Sequence, residues 1–143
     1  MNIKIDTTKP VLVTGATGFV GGWVVKSLIE KGVTVHAPIR DRENKEKITP
    51  LSDISDKGPG NIVFFEANLL DPNSYDEAMN NCEIVFHIAS PFLYNFNDAY
   101  KDFIKPAVQG TQNVLDSVNR TQTVKKVILT SSCTGIFGDH IDI

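Results

Sequence analysis

The sequence predicts an α/β domain: a doubly wound parallel sheet of five strands in the order 3-2-1-4-5, with helices on both faces. Three observations carry that prediction. Short apolar runs alternate with segments of helical spacing, strand then helix, along the whole chain. A glycine-spaced turn, Gly15-Ala16-Thr17-Gly18-Phe19-Val20-Gly21, follows the first apolar run and opens the first helical segment. Small and polar residues fall just after each apolar run, at the carboxyl ends of the strands, where such sheets bind their ligands.

Each element has its own signal. Pro10–Thr14 (PVLVT) is a continuous apolar run ending at glycine, as a buried strand should be. Phe19–Lys31 has helical spacing, with Val20, Val24 and Leu28 on one face joined by Phe19 and Trp23, and it closes on Lys31-Gly32. Val33–Ile39 is the second strand; Pro38, which cannot donate to a ladder, belongs at its end. Asp41–Leu51 reads as a short charged surface helix and Ser52–Gly60 as a loop. Asn61–Glu66 (NIVFFE) is the third strand, with Phe64-Phe65, like Trp23, in the core. Asp71-Pro72 announces a short helix over Asn73–Asn80. Glu83–Ala89 is the fourth strand. A long helix over Asn97–Asn119 follows, with Val108, Thr111, Leu115 and Val118 as its inward stripe. Pro106 must kink or divide it, because it removes a bond to Asp102. Lys125–Thr130 (KKVILT) is the fifth strand and runs into Ser131-Ser132.

Bulk properties narrow the classes. The 143 residues are enough for one domain, and a hydrophobic fraction of 41% argues against disorder. A net charge of −3 without a basic run gives no reason to expect nucleic acid or an acidic membrane surface. No apolar stretch approaches the roughly 20 residues of a membrane helix. Cys82 and Cys133 lack metal-ligand spacing and form no disulfide framework. With no signal peptide, they read as reduced thiols in a cytoplasmic protein. His36, His87 and His140 are too scattered for a metal site; His87 reads as a satisfied core or near-site residue.

The glycine turn is the motif with chemistry. Gly15 permits a sharp turn, Gly18 lets backbone approach a pyrophosphate, and Gly21 lets the helix pack close to the strands. The helix N-terminus then offers N–H donors and a positive dipole end to the anion. Between a strand and an amphipathic helix, this triplet points to a dinucleotide rather than to an ordinary tight turn. Arg40 stands where an acidic residue would contact a ribose 2′-hydroxyl, roughly 20 residues past the glycines. A guanidinium can fork onto a 2′-phosphate and stack on adenine. That favours NADP over NAD, although Asp41 next door could serve NAD, and the charged run RDRENKEK could be a solvated face.

The glycine pattern preceded by Thr14 resembles the extended short-chain dehydrogenase/reductase superfamily, of the epimerase/dehydratase type with a Rossmann-like fold. Five segments narrow the resemblance to the dihydroflavonol reductase and cinnamoyl-CoA reductase branch: TGATGFVGG (14–22), IRD (39–41), VFHIASP (85–91), IKPAVQGTQNVL (104–115) and VILTSS (127–132). The resemblance implies Gly15, Thr17, Gly18, Phe19, Val20 and Gly21 on the pyrophosphate, and Arg40 with Lys47 on the 2′-phosphate. It also implies Asn68 and Leu69 at the adenine, and Ala89 and Ser90 at the nicotinamide ribose. Asn68 replaces the usual Asp and keeps an acceptor oxygen without the charge. Ser132 matches the serine that polarises the substrate carbonyl, with Ser131 as its neighbouring alternative. The 135–139 stretch (GIFGD) resembles the loop after that serine.

The implied tyrosine and lysine are missing. Four residues after Tyr75, Tyr94 and Tyr100 stand Met79, Asp98 and Ile104, so no Tyr-x-x-x-Lys exists within the 143 residues. The expectation is therefore an incomplete dinucleotide-binding domain over residues 1–143, cut before the later strands and the substrate-binding region. Two functions follow: the NADP(H)-binding part of a reductase acting on a carbonyl or aldehyde, or a non-catalytic NAD(P)-binding module with a sensor or regulatory role. The fifth strand would leave an unpaired edge, which predicts a homodimer or aggregation through that edge or through exposed helix faces.

Overall fold

The structure, a computed structural model, describes residues 5–91 and 97–133; Tyr94, His140 and the 135–139 stretch lie outside the described residues. The elements run β1 (Val11–Thr14), α1 (Phe19–Ile29), β2 (Thr34–Ile39), α2 (Lys45–Ser55), β3 (Asn61–Glu66), α3 (Asp76–Met79), β4 (Ile84–His87), a π-helical turn (Tyr100–Ile104), α4 (Lys105–Arg120) and β5 (Lys126–Leu129). All five strands are parallel, in the order β3-β2-β1-β4-β5. Strand order and fold class are as the alternation predicts.

Strand β1 shows how the core divides. It is apolar without interruption, yet its side chains alternate between two layers. Val11 and Val13 join Val25, Leu28, Ile29, Val35 and Leu51 on the α1 and α2 side. Leu12 joins Tyr75, Met79, Cys82, Val85 and Val114 on the α3 and α4 side. Phe64 packs against the first layer and Phe65 against the second, so the Phe pair is core as expected.

The rotation of α1 differs from expectation, and the cause is Gly21. A Cβ there would stand 2.7 Å from the Gly15 carbonyl carbon, so this residue must face the turn. Val25, Leu28 and Ile29 follow it inward at helical spacing, while Phe19 (84% exposed), Val20 and Trp23 (56%) turn outward. Trp23 is therefore not core; Lys26 Nζ lies 4.9 Å over its ring. The helix closes as predicted around Gly32, with Gly32 N–H donating to Ile29 O and Val33 N–H to Leu28 O.

Capping moves α2 four residues along. Asp41 Oδ1 accepts from Glu43 N–H in its own turn, and Asn44 Oδ1 caps the helix at Lys47 N–H. The start of the segment expected as a loop, Ser52–Ser55, thus supplies the end of the helix, and Leu51, expected in the helix, is its buried residue. Pro38 sits inside β2 rather than at its end, opposite Phe65, but two residues beyond the last β1–β2 pair, Leu12 with His36. The short helix before β4 is only Asp76–Met79, because Asn73 takes a left-handed φ of 66°.

Pro106 does divide the long helix. It occupies the first turn of α4, where a missing N–H costs nothing, and a π-helical turn precedes it. The buried face of α4 is Gly110, Asn113, Val114 and Ser117; of the predicted stripe Val118 packs against the core and Thr111 bonds His87, but Val108 and Leu115 do not face inward. Val108 is 67% exposed and Leu115 is at the exposed margin, while Thr111 and Val118 are half-buried. Gly110 decides this rotation: a Cβ there would stand 3.0 Å from the Leu69 side chain. Among the described helices none is long and apolar enough to cross a membrane.

Candidate dinucleotide-binding site

Parallel pairing puts the carboxyl ends of all five strands on one edge of the sheet. That edge collects the glycine turn after β1, Arg40 after β2, Asn68-Leu69 after β3, Ala89-Ser90 after β4 and Ser131-Ser132 after β5. The strand order reverses between β1 and β4, and there the two exits touch. Gly15 has φ +70°, and a Cβ on it would stand 2.9 Å from Ala89 N. Thr14 ties the same two strands: its hydroxyl accepts from Ile88 N–H and Ala89 N–H, each at 3.0 Å.

The N-terminus of α1 is shaped for an anion. Gly18 caps it with no side-chain bond, and the first turn carries no acidic residue. The first N–H groups of a helix have no partner within it. The start of α2 is the opposite case: Asn44 fills its cap and Glu46 stands in its first turn. Of these two helices beside the glycine turn, α1 is the one that presents open donors and an uncompensated dipole end.

Beside that turn, Thr17, Ile39, Arg40, Asp41, Asn44, Lys47 and Ile48 line a hollow of about 260 Å³. Arg40 and Lys47, seven residues apart in sequence, reach this hollow together because the α2 cap bends the chain between them. Asp41 also lines it, with one carboxylate oxygen engaged by Glu43 N–H. Arg40 lies near buried Tyr75, whose hydroxyl is pushed up to about 12 by burial, with the guanidinium acting weakly the other way. A larger groove of about 460 Å³ runs from Ala16 and Gly18 between α1 and α2, bordered by Trp23, Lys47 and Leu51.

The loop after β3 is braced from both sides. Asn68 Oδ1 accepts from Leu70 N–H at 3.2 Å, and Ser74 Oγ donates to Asn68 O at 2.8 Å. Asn113 Nδ2, on α4, donates to Leu69 O at 2.7 Å. Sequence reasoning missed Asn113, and also Asn44 and Ile48. A polar residue on the small-residue face of α4 was the available signal for Asn113.

Ser131, Ser132 and Cys133 leave β5 exposed. They share the sheet edge with the other exits but stand two strands away from β1, at the rim of the sheet. Two histidines and Cys82 are held by hydrogen bonds within the fold. His36 Nδ1 donates to Ala78 O at 2.7 Å, and the Cys82 thiol, pushed up to about 12 by burial, contacts the same carbonyl. His87 is 2% exposed, bonded at both ring nitrogens, and held below the usual histidine range by burial.

Comparison with known proteins agrees with this edge. Over 125 residues, or 87% of the chain, the sequence is 39% identical to dihydroflavonol 4-reductase of Solanum lycopersicum. It is 38% identical over 134 residues to the (2S)-flavan-3-ol-forming anthocyanidin reductase of Vitis vinifera. It spans 33% and 39% of the length of those two curated relatives. Vestitone reductase from alfalfa (Medicago sativa) superposes with a TM-score of 0.68 at 34% identity, over 88% of this chain and 37% of that one. Gre2 of Candida albicans, solved in complex with NADPH, gives 0.74 at 30% identity over 87% and 37%. The two curated relatives are reductases of the kind that the five segments resemble. The pattern of the NAD dependent epimerase/dehydratase family matches residues 11–143, and the chain belongs to that family.

Proposed function

We propose that residues 1–143 are the NADP(H)-binding portion of an oxidoreductase that reduces a carbonyl or aldehyde by hydride transfer. The observation that carries the reading is the hollow beside the glycine turn, where Arg40 and Lys47 converge with Thr17 on a volume of about 260 Å³. Two cations there suit a 2′-phosphate and have no use for a bare 2′-hydroxyl. Relatives known as NADPH complexes support the same choice.

Each residue then has a task. The open N-terminus of α1, with Gly15, Thr17, Gly18, Phe19, Val20 and Gly21, holds the pyrophosphate. Asn68 and Leu69 border the adenine, with Asn113 keeping their loop in place. Ala89 and Ser90 line the nicotinamide ribose, close to Gly15. Ser132 would donate a hydrogen bond to the substrate carbonyl, stabilising charge that develops on its oxygen. The nicotinamide, when bound, supplies the hydride. By the resemblance, the proton-donating tyrosine and the substrate pocket would lie in the further length that the curated relatives possess.

Leu129 is 55% exposed on β5, and Ile104 and Val108 are exposed on and just before α4. We propose this face as the contact for a second copy of the chain; light scattering that shows a stable monomer would refute it. The free thiols of Cys82 and Cys133 go with a cytoplasmic setting.

Parallel calorimetric titration with NADPH and NADH tests the main reading. NADPH should bind tighter, and Arg40→Ala should remove about tenfold or more of its affinity while leaving NADH unchanged. Equal binding of the two nucleotides, insensitive to Arg40→Ala, sinks the assignment.

A further inference from the structure

Thr14 and His87 are fully buried polar side chains at the one point where β1 and β4 meet beside the glycine turn. Their hydrogens can be assigned by counting. Thr14 Oγ1 accepts two backbone N–H groups, from Ile88 and Ala89. A hydroxyl oxygen has two lone pairs, so both are used, and its single hydrogen must be donated elsewhere. His87 Nδ1 stands 2.8 Å away. It must therefore be an unprotonated acceptor, and the ring carries its proton on Nε2. That N–H points to Thr111 Oγ1, 3.3 Å away on α4. The chain of bonds runs from α4 through His87 to Thr14 and ends on the two amides at the exit of β4.

We propose that Thr14, kept as a hydroxyl donor by a neutral His87 on its Nε2–H tautomer, is the positioning residue that fixes Ile88-Ala89 against the glycine turn. A protonated ring, or the other tautomer, would present N–H to the hydroxyl and force one amide off it. The juncture has no slack, since the space for a Cβ on Gly15 is already filled by Ala89 backbone at 2.9–3.0 Å. The nicotinamide side of the site thus depends on a side chain that need not touch the nucleotide. This last consequence rests on the proposed function; the hydrogen-bond assignment does not.

The test uses the ¹⁵N-labelled 143-residue chain, with the His87 resonances identified by their loss in His87→Gln. Nitrogen NMR at neutral pH should find Nε2 protonated and Nδ1 bare. Thr14→Val keeps the shape and removes the hydroxyl; Thr14→Ser keeps the hydroxyl. In Thr14→Val the Ile88 and Ala89 amides should exchange with solvent about tenfold faster, and NADPH should bind about tenfold more weakly. In Thr14→Ser both should stay within about twofold of the parent. A protonated Nδ1, or unchanged amide exchange in Thr14→Val, overturns the proposal. If Thr14→Val does not fold, the tautomer and Thr14→Ser decide. A parent chain that binds no NADPH overturns the proposed function instead, and the tautomer and exchange readouts still judge this one.

Discussion

Strand β1 buries all four of its residues, whereas β5 buries none, although both are four-residue strands of one parallel sheet. The difference is position. β1 has a strand on each side and helices over both faces. β5 has β4 on one side only, and α4 beside it turns Val108 and the margin of Leu115 away from the sheet. The β1 half is closed, and it carries the glycine turn and the cationic hollow. The β5 half is open, and it carries the exposed Ser131-Ser132. Under the proposed function the nucleotide-binding geometry is thus preformed in these residues, while the place expected for carbonyl chemistry is a rim.

Substitution should separate the two halves sharply. The largest effect is expected at Gly21→Val, where branched carbon would be driven into the Gly15 carbonyl, backbone that cannot yield. A loss of about 3 kcal/mol or more in urea denaturation is the expected outcome. A loss below about 1 kcal/mol would mean that the turn is loose and the halves are alike.

Acidification should act on the same closed half, more mildly. Burial holds His87 below its unfolded pKa of about 6.5. As pH falls through that value the unfolded chain takes up a proton that the native chain refuses, so stability drops until the native pKa is reached. The slope is at most about 1.4 kcal/mol per pH unit for this one group. Denaturation midpoints measured from pH 7 to 5 should show it, and His87→Gln should flatten it. A slope unchanged in that variant would assign the effect elsewhere.

The smallest effect is expected in the open half. Val108→Ser, on a side chain 67% exposed, should change stability by no more than about 0.5 kcal/mol. A cost near 2 kcal/mol in dilute solution would show that this face is covered, and would favour the second-copy contact. Concentration dependence of the midpoint would sharpen that result.

Much of the fold was legible because its signals are local. The alternation of apolar runs with helical spacing marks each element, and Pro106 marks the division before α4. The glycine turn was legible for the same reason: Gly21 answers a steric demand within seven residues of chain and Gly15 a left-handed φ, although the close approach of Ala89 to Gly15 is not local. Arg40 and Lys47 were legible as a charged pair, but not their convergence. That depends on Asn44 capping α2 and bending the chain between them. Helix rotation was misread twice, at α1 and α4. In both, apolar residues were assigned inward when a glycine was holding the inward position for close backbone or side-chain approach.

By itself, then, the sequence determined the number and order of the strands and main helices, the glycine turn after β1 and the cationic residue after β2. These are set by propensity, by periodicity and by close contacts between near neighbours in the chain. Only the tertiary structure decided which face of each helix is buried, and that Trp23 and Val108 lie outside. It alone brought Thr14 to His87, 73 residues away, and Asn113 to Leu69, 44 residues away. Buried polar groups must find partners, but which partner they find depends on where separate strands and helices come to rest.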